Sequence, residues 1–185
     1  MDHYCDIKIL ENPEISPNHV MNTLFGAFHL ALVKGGYRDV GISFPEVKGK
    51  SFGSCLRIHG SEGALRNLVA DNWWKGMRDY IDLSEVDRVP QGTKFRKVLR
   101  VQAKSSPDRL RRRLERRQGI TPEEAERKIP DSVARKLELP YLQISSKSSG
   151  HDFRLFVQHG PLLEERQTNS FNSYGLSAGG SIPWF

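Results

Sequence analysis

YCDIKILENPEISPNHVMNTLFGAFHLALVKGG, residues 4–36, changes its apolar period part-way along. Residues 4–10 partly alternate, with Cys5, Ile7 and Ile9 on one face, which is the pattern of a strand. Ser16-Pro17 then gives a helix start, because a serine hydroxyl caps free N–H groups and proline suits the first helical position. Met21, Leu24, Phe25, Phe28 and Leu32 follow at helical spacing and form one apolar stripe. Gly35-Gly36 supplies the stop.

Outward from this stretch the period keeps switching. DVGISFP (39–45) and SCLRIHG (54–60) read as two short strands. SEGALRNLVADN (61–72) reads as a second helix led by Ser61, and residues 80–89 supply a further strand. The order is β-α-β-β-α-β, the ferredoxin-like arrangement, and the fold class is α+β. Many functions share that fold, so it says little about activity. VPQGTKF (89–95) reads as a junction, which sets a ferredoxin-like domain at 1–94 and a C-terminal domain at 95–185. In the second domain RKVLRVQAK (96–104) is strand-like. Thr121-Pro122-Glu123-Glu124 is a capping box for a short helix ended by Pro130, and DSVARKLEL (131–139) forms another helix closed by Pro140. YLQISS and FRLFVQHG flank the polar loop KSSGHD as a β-hairpin. The segment YGLSAGGSIPWF (174–185) ends in bulky residues and is expected to pack.

SSPDRLRRRLERRQG (105–119) places six arginines in nine positions. Ser106-Pro107 is its start signal and Gly119 its stop. At about 100° per residue, Arg109, Arg112, Arg113, Arg116 and Arg117 fall within an arc of roughly 140°. Leu110 and Leu114 lie on a neighbouring edge and can dock the helix, while Arg111 and Glu115 are spaced for an i,i+4 pair. Five guanidinium groups on one face repel each other. A polyanion removes that repulsion, and a nucleic-acid backbone is the commonest one. A membrane surface fits poorly, since only two leucines accompany the arginines.

The composition agrees with a nucleic-acid partner: 185 residues carry a formal charge of +6. No apolar run is long enough to span a membrane, and the N-terminal residues lack a signal-peptide core, so a cytoplasmic location is expected. Cys5 and Cys55 are isolated, which offers neither a disulfide framework nor a zinc pattern. With no metal-ligand or phosphate-loop motif, no cofactor and no metal are expected.

Several segments together resemble one family: RVQAK, SSPDRLRRRLERR, EEAERKIPDSVAR, SSKSSGHDFRLFVQHGPL and YGLSAGGSIPWF, in that order, with LFGAFHLALV and VGISFP upstream. The chain resembles the CRISPR repeat-processing endoribonucleases of the type I-F (Ypest) subtype. The resemblance covers most of the chain and is strongest from Arg100 onward. It implies an enzyme that binds the stem-loop of CRISPR repeat RNA and cuts once at the 3′ base of the stem. The cut uses the 2′-OH, leaves a 2′,3′-cyclic phosphate and needs no metal. The enzyme would then stay on the mature guide RNA, beside other subunits of the type I-F surveillance complex. A more open C-terminal domain carrying the arginine helix is also implied. The alternative is a catalytically inactive hairpin-binding subunit of the same design.

Such chemistry needs a group that moves protons near neutrality, and six histidines are present: His3, His19, His29, His59, His151 and His159. Spacing alone does not choose among them, although His29 falls at the edge of the apolar stripe. The resemblance implies His29 as the catalytic histidine, with His151 as runner-up. It likewise implies Ser146 as the residue that holds the reacting ribose, with Ser145, Ser148 and Ser149 crowding it. Tyr174 matches an active-site tyrosine that orients the histidine, or else packs under the tail. Arg100 and Gln102, two apart on a strand, are implied to read bases at the foot of the stem. The arginine helix would clamp the stem and Phe153 would stack on its terminal base pair.

Overall fold

The computed structural model describes residues 1–102, 107–131, 137–145, 150, 152–168 and 170–185. The first part of the chain runs β1 (His3–Ile9), α1 (Pro17–Gly35), β2 (Gly41–Ser43), β3 (Cys55–Gly60), α2 (Glu62–Ala70), β4 (Ile81–Leu83) and β5 (Asp87–Arg88). The strands form one antiparallel sheet in the order β2-β3-β1-β4, with β5 also on β1. This is the ferredoxin-like arrangement expected from the order of periods.

Local chemistry explains the elements. Ser16 accepts a hydrogen bond from His19 N at 3.4 Å, Pro17 opens the helix, and Gly36 ends it in the left-handed region at φ 67°. Ser61 caps α2 in the same way through Ala64 N. The stripe Met21, Leu24, Phe25, Phe28 and Leu32 is buried, together with Cys5, Ile7, Leu56 and Ile58 from the sheet. Each such side chain contributes about 1.5–3 kcal/mol by leaving water.

Residues 80–89 do not form the single strand expected of them. Ser84 interrupts it: its Oγ accepts from Asp6 N at 2.9 Å, replacing a ladder bond, and donates to Glu85 O at 2.8 Å. The 3₁₀ turn Lys75–Tyr80 ahead of β4 was not expected either.

A second sheet contains β6 (Lys94–Val101), β7 (Tyr141–Ser145), β8 (Asp152–Leu163) and β9 (Ile182–Trp184), in the order β7-β8-β6-β9. β7 and β8 make the expected hairpin and β9 is the packed tail. Gly41 in β2 is required where the tail crosses, since a Cβ there would lie 2.6 Å from the Phe171 ring and 2.7 Å from Ile182. Arg57 fastens the last residue. It makes a bidentate pair with Asp6 at 2.7 and 2.8 Å, lies over both the Tyr4 and Phe185 rings, and donates to Phe185 O.

The chain divides into two compact units, Met1–Arg100 with Leu139–Phe185, and Val101–Glu138. Residue 94, after which a division was expected, is the first residue of β6. The smaller unit holds α3 (Pro107–Gln118) and α4 (Pro122–Lys128), which pack on each other. The capping box at Thr121 is formed. The expected start signal at Ser106 and most of the expected helix over 131–139 lie outside the described residues.

Candidate active site

His29 is half-buried on α1, at the border of the apolar stripe. Its Nδ1 lies 2.7 Å from the carbonyl oxygen of Ser173. A carbonyl only accepts, so Nδ1 carries the proton and, in the neutral ring, Nε2 keeps the lone pair. The imidazole stacks on Tyr174 with centroids 4.2 Å apart and planes 16° from parallel. Tyr174 in turn lies parallel to the buried Phe25 ring, with centroids 6.1 Å apart. The ring is thus fixed in orientation and tautomer, and among the described residues no hydrogen bond engages Nε2. That arrangement can take up or release a proton at one defined point.

The other described histidines differ. His59 is wholly buried, its Nε2 2.8 Å from Ser43 Oγ, and burial followed by Arg57 pushes its pKa down to about 3. Burial followed by Arg96 pushes His159 down to about 4. His3 is buried beside Asp2 and Glu62. His19 is exposed near the start of α1. Burial also raises both thiols, Cys5 and Cys55, to about 12, which makes them poor nucleophiles. His151 and the candidate serine Ser146, with Ser148 and Ser149, lie outside the described residues. Ser145 is described; its Oγ donates to Asp152 Oδ1 at 2.6 Å across the base of the hairpin.

Arg100, exposed on β6, adjoins the histidine stack. Its guanidinium carbon lies 5.6 Å from the Tyr174 ring centre and 5.5 Å from that of Phe153. Phe153 on β8 is half-buried against the core, and the arginine lies over it. His29, Tyr174, Arg100 and Phe153, drawn from four separate segments, therefore form one continuous cluster. Gln102 is exposed just past the end of β6.

In the smaller unit, Arg109, Arg112, Arg113, Arg116 and Arg117 are all exposed on α3. Among the described residues none of the five has an acidic side chain within ion-pairing distance. Arg111 behaves differently and does not make the expected pair with Glu115. It is 13% exposed and donates to Ile129 O at 2.8 Å and Asp131 Oδ1 at 2.7 Å. The end of α4 brings it a carbonyl and a carboxylate at once, which outweighs an exposed i,i+4 pair. One arginine is thus structural and five are left facing outward. Among the described residues no three His, Cys, Asp or Glu side chains gather as a metal cluster.

The family described as CRISPR-associated protein (Cas_Csy4) matches residues 4–185. The chain belongs to this family. A CRISPR-associated endonuclease Cas6/Csy4 of Pseudomonas aeruginosa (strain UCBPP-PA14) is 48% identical over 187 residues, covering 100% of both chains. A protein of the same name from Escherichia coli (strain UTI89 / UPEC) is 43% identical over 185 residues, again covering 100% of both. By that membership the chain is an endonuclease, and the resemblance read over most of the chain, strongest from Arg100 onward, extends over residues 4–185. No described helix is long and apolar enough to cross a membrane. What the sequence reading missed in the site is the turn that carries Tyr174. Asn172 and Ser173 were not singled out, although Asn172 three residues before Gly175 is a turn signal.

Proposed function

We propose that this endonuclease cuts the stem-loop of CRISPR repeat RNA once, at the 3′ base of the stem. The observation that carries the reading is the His29 ring, locked at Nδ1 by Ser173 O and stacked on Tyr174, with Nε2 free of hydrogen bonds among the described residues. RNA supplies its own nucleophile, so positioning plus one acid–base group suffices. Nε2 takes the 2′-OH proton as O2′ attacks phosphorus. The P–O5′ bond breaks, and the proton delivered to O5′ closes the balance, leaving a 2′,3′-cyclic phosphate. No metal enters these steps. Ser146 holds the reacting ribose and Tyr174 orients the histidine.

Recognition divides between two surfaces. The five outward arginines of α3 take phosphates of the stem, and it supports this that among the described residues none of them has an acidic partner. Arg100 and Gln102 read bases at the stem foot, and Phe153 stacks on the terminal pair. The enzyme stays on the mature guide RNA as one subunit of the type I-F surveillance complex.

The test is a labelled repeat hairpin incubated in EDTA. The wild type is expected to cut it and to bind, but not cut, a hairpin with a 2′-deoxy sugar at the scissile position. His29→Ala is expected to slow cleavage by about 10²- to 10⁴-fold while affinity changes little. Cleavage of the deoxy hairpin would rule out the cyclic-phosphate route. Full activity in His29→Ala would remove His29 from the chemistry.

A further inference from the structure

The turn that meets His29 is held from both sides. Phe171 and Ser177 form a bridge; Phe171 N donates to Arg38 O at 2.9 Å and Ser177 N to Val98 O at 2.7 Å. Ile42 N in β2 donates to Gly175 O at 3.0 Å. These bonds fix the ends of the turn and its far side. They leave open what fixes Ser173 and Tyr174, the two residues that touch the imidazole.

One side chain does that. Asn172 Oδ1 accepts from Tyr174 N at 2.9 Å and from Leu176 N at 3.1 Å. Both partners are donors, so the amide oxygen, not the nitrogen, must face the turn. The Asn172 backbone closes the same turn, donating to Leu176 O and accepting from Gly175 N, each at 2.9 Å. Gly175 sits in the left-handed region at φ 69°, and a Cβ there would lie 3.0 Å from Phe28. The turn therefore has little room to adopt another shape while Oδ1 is in place.

We infer that Asn172 is a positioning residue for the reaction, acting through the Asn172–Leu176 turn on the orientation and tautomer of His29. The inference rests on the proposed acid–base role of His29. Removing Oδ1 leaves two backbone N–H groups of a half-buried turn without their acceptor. The Ser173 carbonyl is then free to rotate away from Nδ1, and the Tyr174 ring loses its fixed angle. Nε2 is no longer presented with one protonation pattern in one direction.

The experiment compares Asn172→Ala and Asn172→Asp, alone and combined with His29→Ala. Asn172→Ala is expected to slow single-turnover cleavage by on the order of 10- to 100-fold, since small misplacements of reacting groups cost that much. Affinity for the uncleavable 2′-deoxy hairpin is expected to be unchanged. Asn172→Asp keeps the acceptor and is expected to restore the rate. Nitrogen-15 NMR of the His29 ring should show the Nδ1–H form in the wild type and N172D, and a mixture in N172A. In the His29→Ala background, adding N172A should cause no further loss of rate. Wild-type rate and tautomer in N172A would overturn the inference and leave the His29 reading intact. Additive losses in the double variant would also overturn it, by showing that Asn172 acts without His29. If His29→Ala itself proved fully active, the acid–base reading would fail, and the NMR tautomer would still report whether Asn172 controls the ring. Where alanine lowers the melting temperature, Asn172→Ser supplies a shorter acceptor for the same comparison.

Discussion

His29 and Ser173 are separated by 144 residues, yet their hydrogen bond defines which nitrogen can do chemistry. Helical spacing places His29 at the edge of an apolar stripe, and its half-buried state follows from that edge. Nothing in the spacing announces a carbonyl partner from the tail, because that contact exists only once both sheets have formed. The same holds for Arg100. The sequence shows an arginine two residues before a glutamine on a strand, but not that its guanidinium lies over Tyr174 and Phe153. On the proposed reading, this position ties base reading to the reacting ring. Arg100→Ala or Gln102→Ala is accordingly expected to cost about 1 to 3 kcal/mol of binding to the matching hairpin and much less with altered foot pairs. Titrations against both RNAs check it. Equal losses on the two would reduce these side chains to backbone contacts or to supports of the fold.

Among the elements, α1 and α2 were legible because each carries its own serine cap, and α1 also carries its proline and its terminal glycine. Their signals are local, and local signals survive folding. The strand over residues 80–89 was misread because its break depends on a tertiary bond, Asp6 N to Ser84 Oγ. In α3 the arc of five arginines was legible from helical geometry alone. The odd arginine was not, since Arg111 finds its carboxylate 20 residues on at Asp131. This sorting matters for how α3 is tested. Replacing Arg113, Arg116 and Arg117 with alanine touches only outward groups, so the helix should persist by circular dichroism. Hairpin binding should weaken, and the slope of log affinity against log salt should flatten by about 0.7 to 0.9 per lost phosphate contact. An unchanged slope would show that this face meets no phosphate. Arg111→Ala is the useful contrast: it should lower stability, because it strands Asp131 and the Ile129 carbonyl, while the salt slope stays nearly the same.

At the scale of the whole molecule, the packing that positions the site also makes it sensitive to acid. His59 and His159 are neutral because burial opposes their charge, with Arg57 adding to the effect at the first and Arg96 at the second. Their folded pKa values, about 3 and about 4, lie below the ordinary 6.5 of the unfolded chain. Above pH 6.5 both states are neutral at these rings and the linkage is silent. As pH falls below it, the unfolded chain takes up protons that the folded chain refuses, so stability drops. Each histidine contributes a slope of up to about 1.4 kcal/mol per pH unit until its folded pKa is reached. Glu46, bound by the Ser54 N–H and hydroxyl, titrates below its usual range, so it stays ionised between about pH 6.5 and 5 and adds little to this slope. Denaturant melts at pH 7, 6 and 5 should therefore show the wild type losing stability steadily. A His59→Asn/His159→Asn variant should start less stable and lose less over the same interval. Parallel losses in the two proteins would assign the acid sensitivity to other groups. The outcome also decides how cleavage is read against pH: a rate that falls with acid reports on the active site only where the melts show the chain still folded.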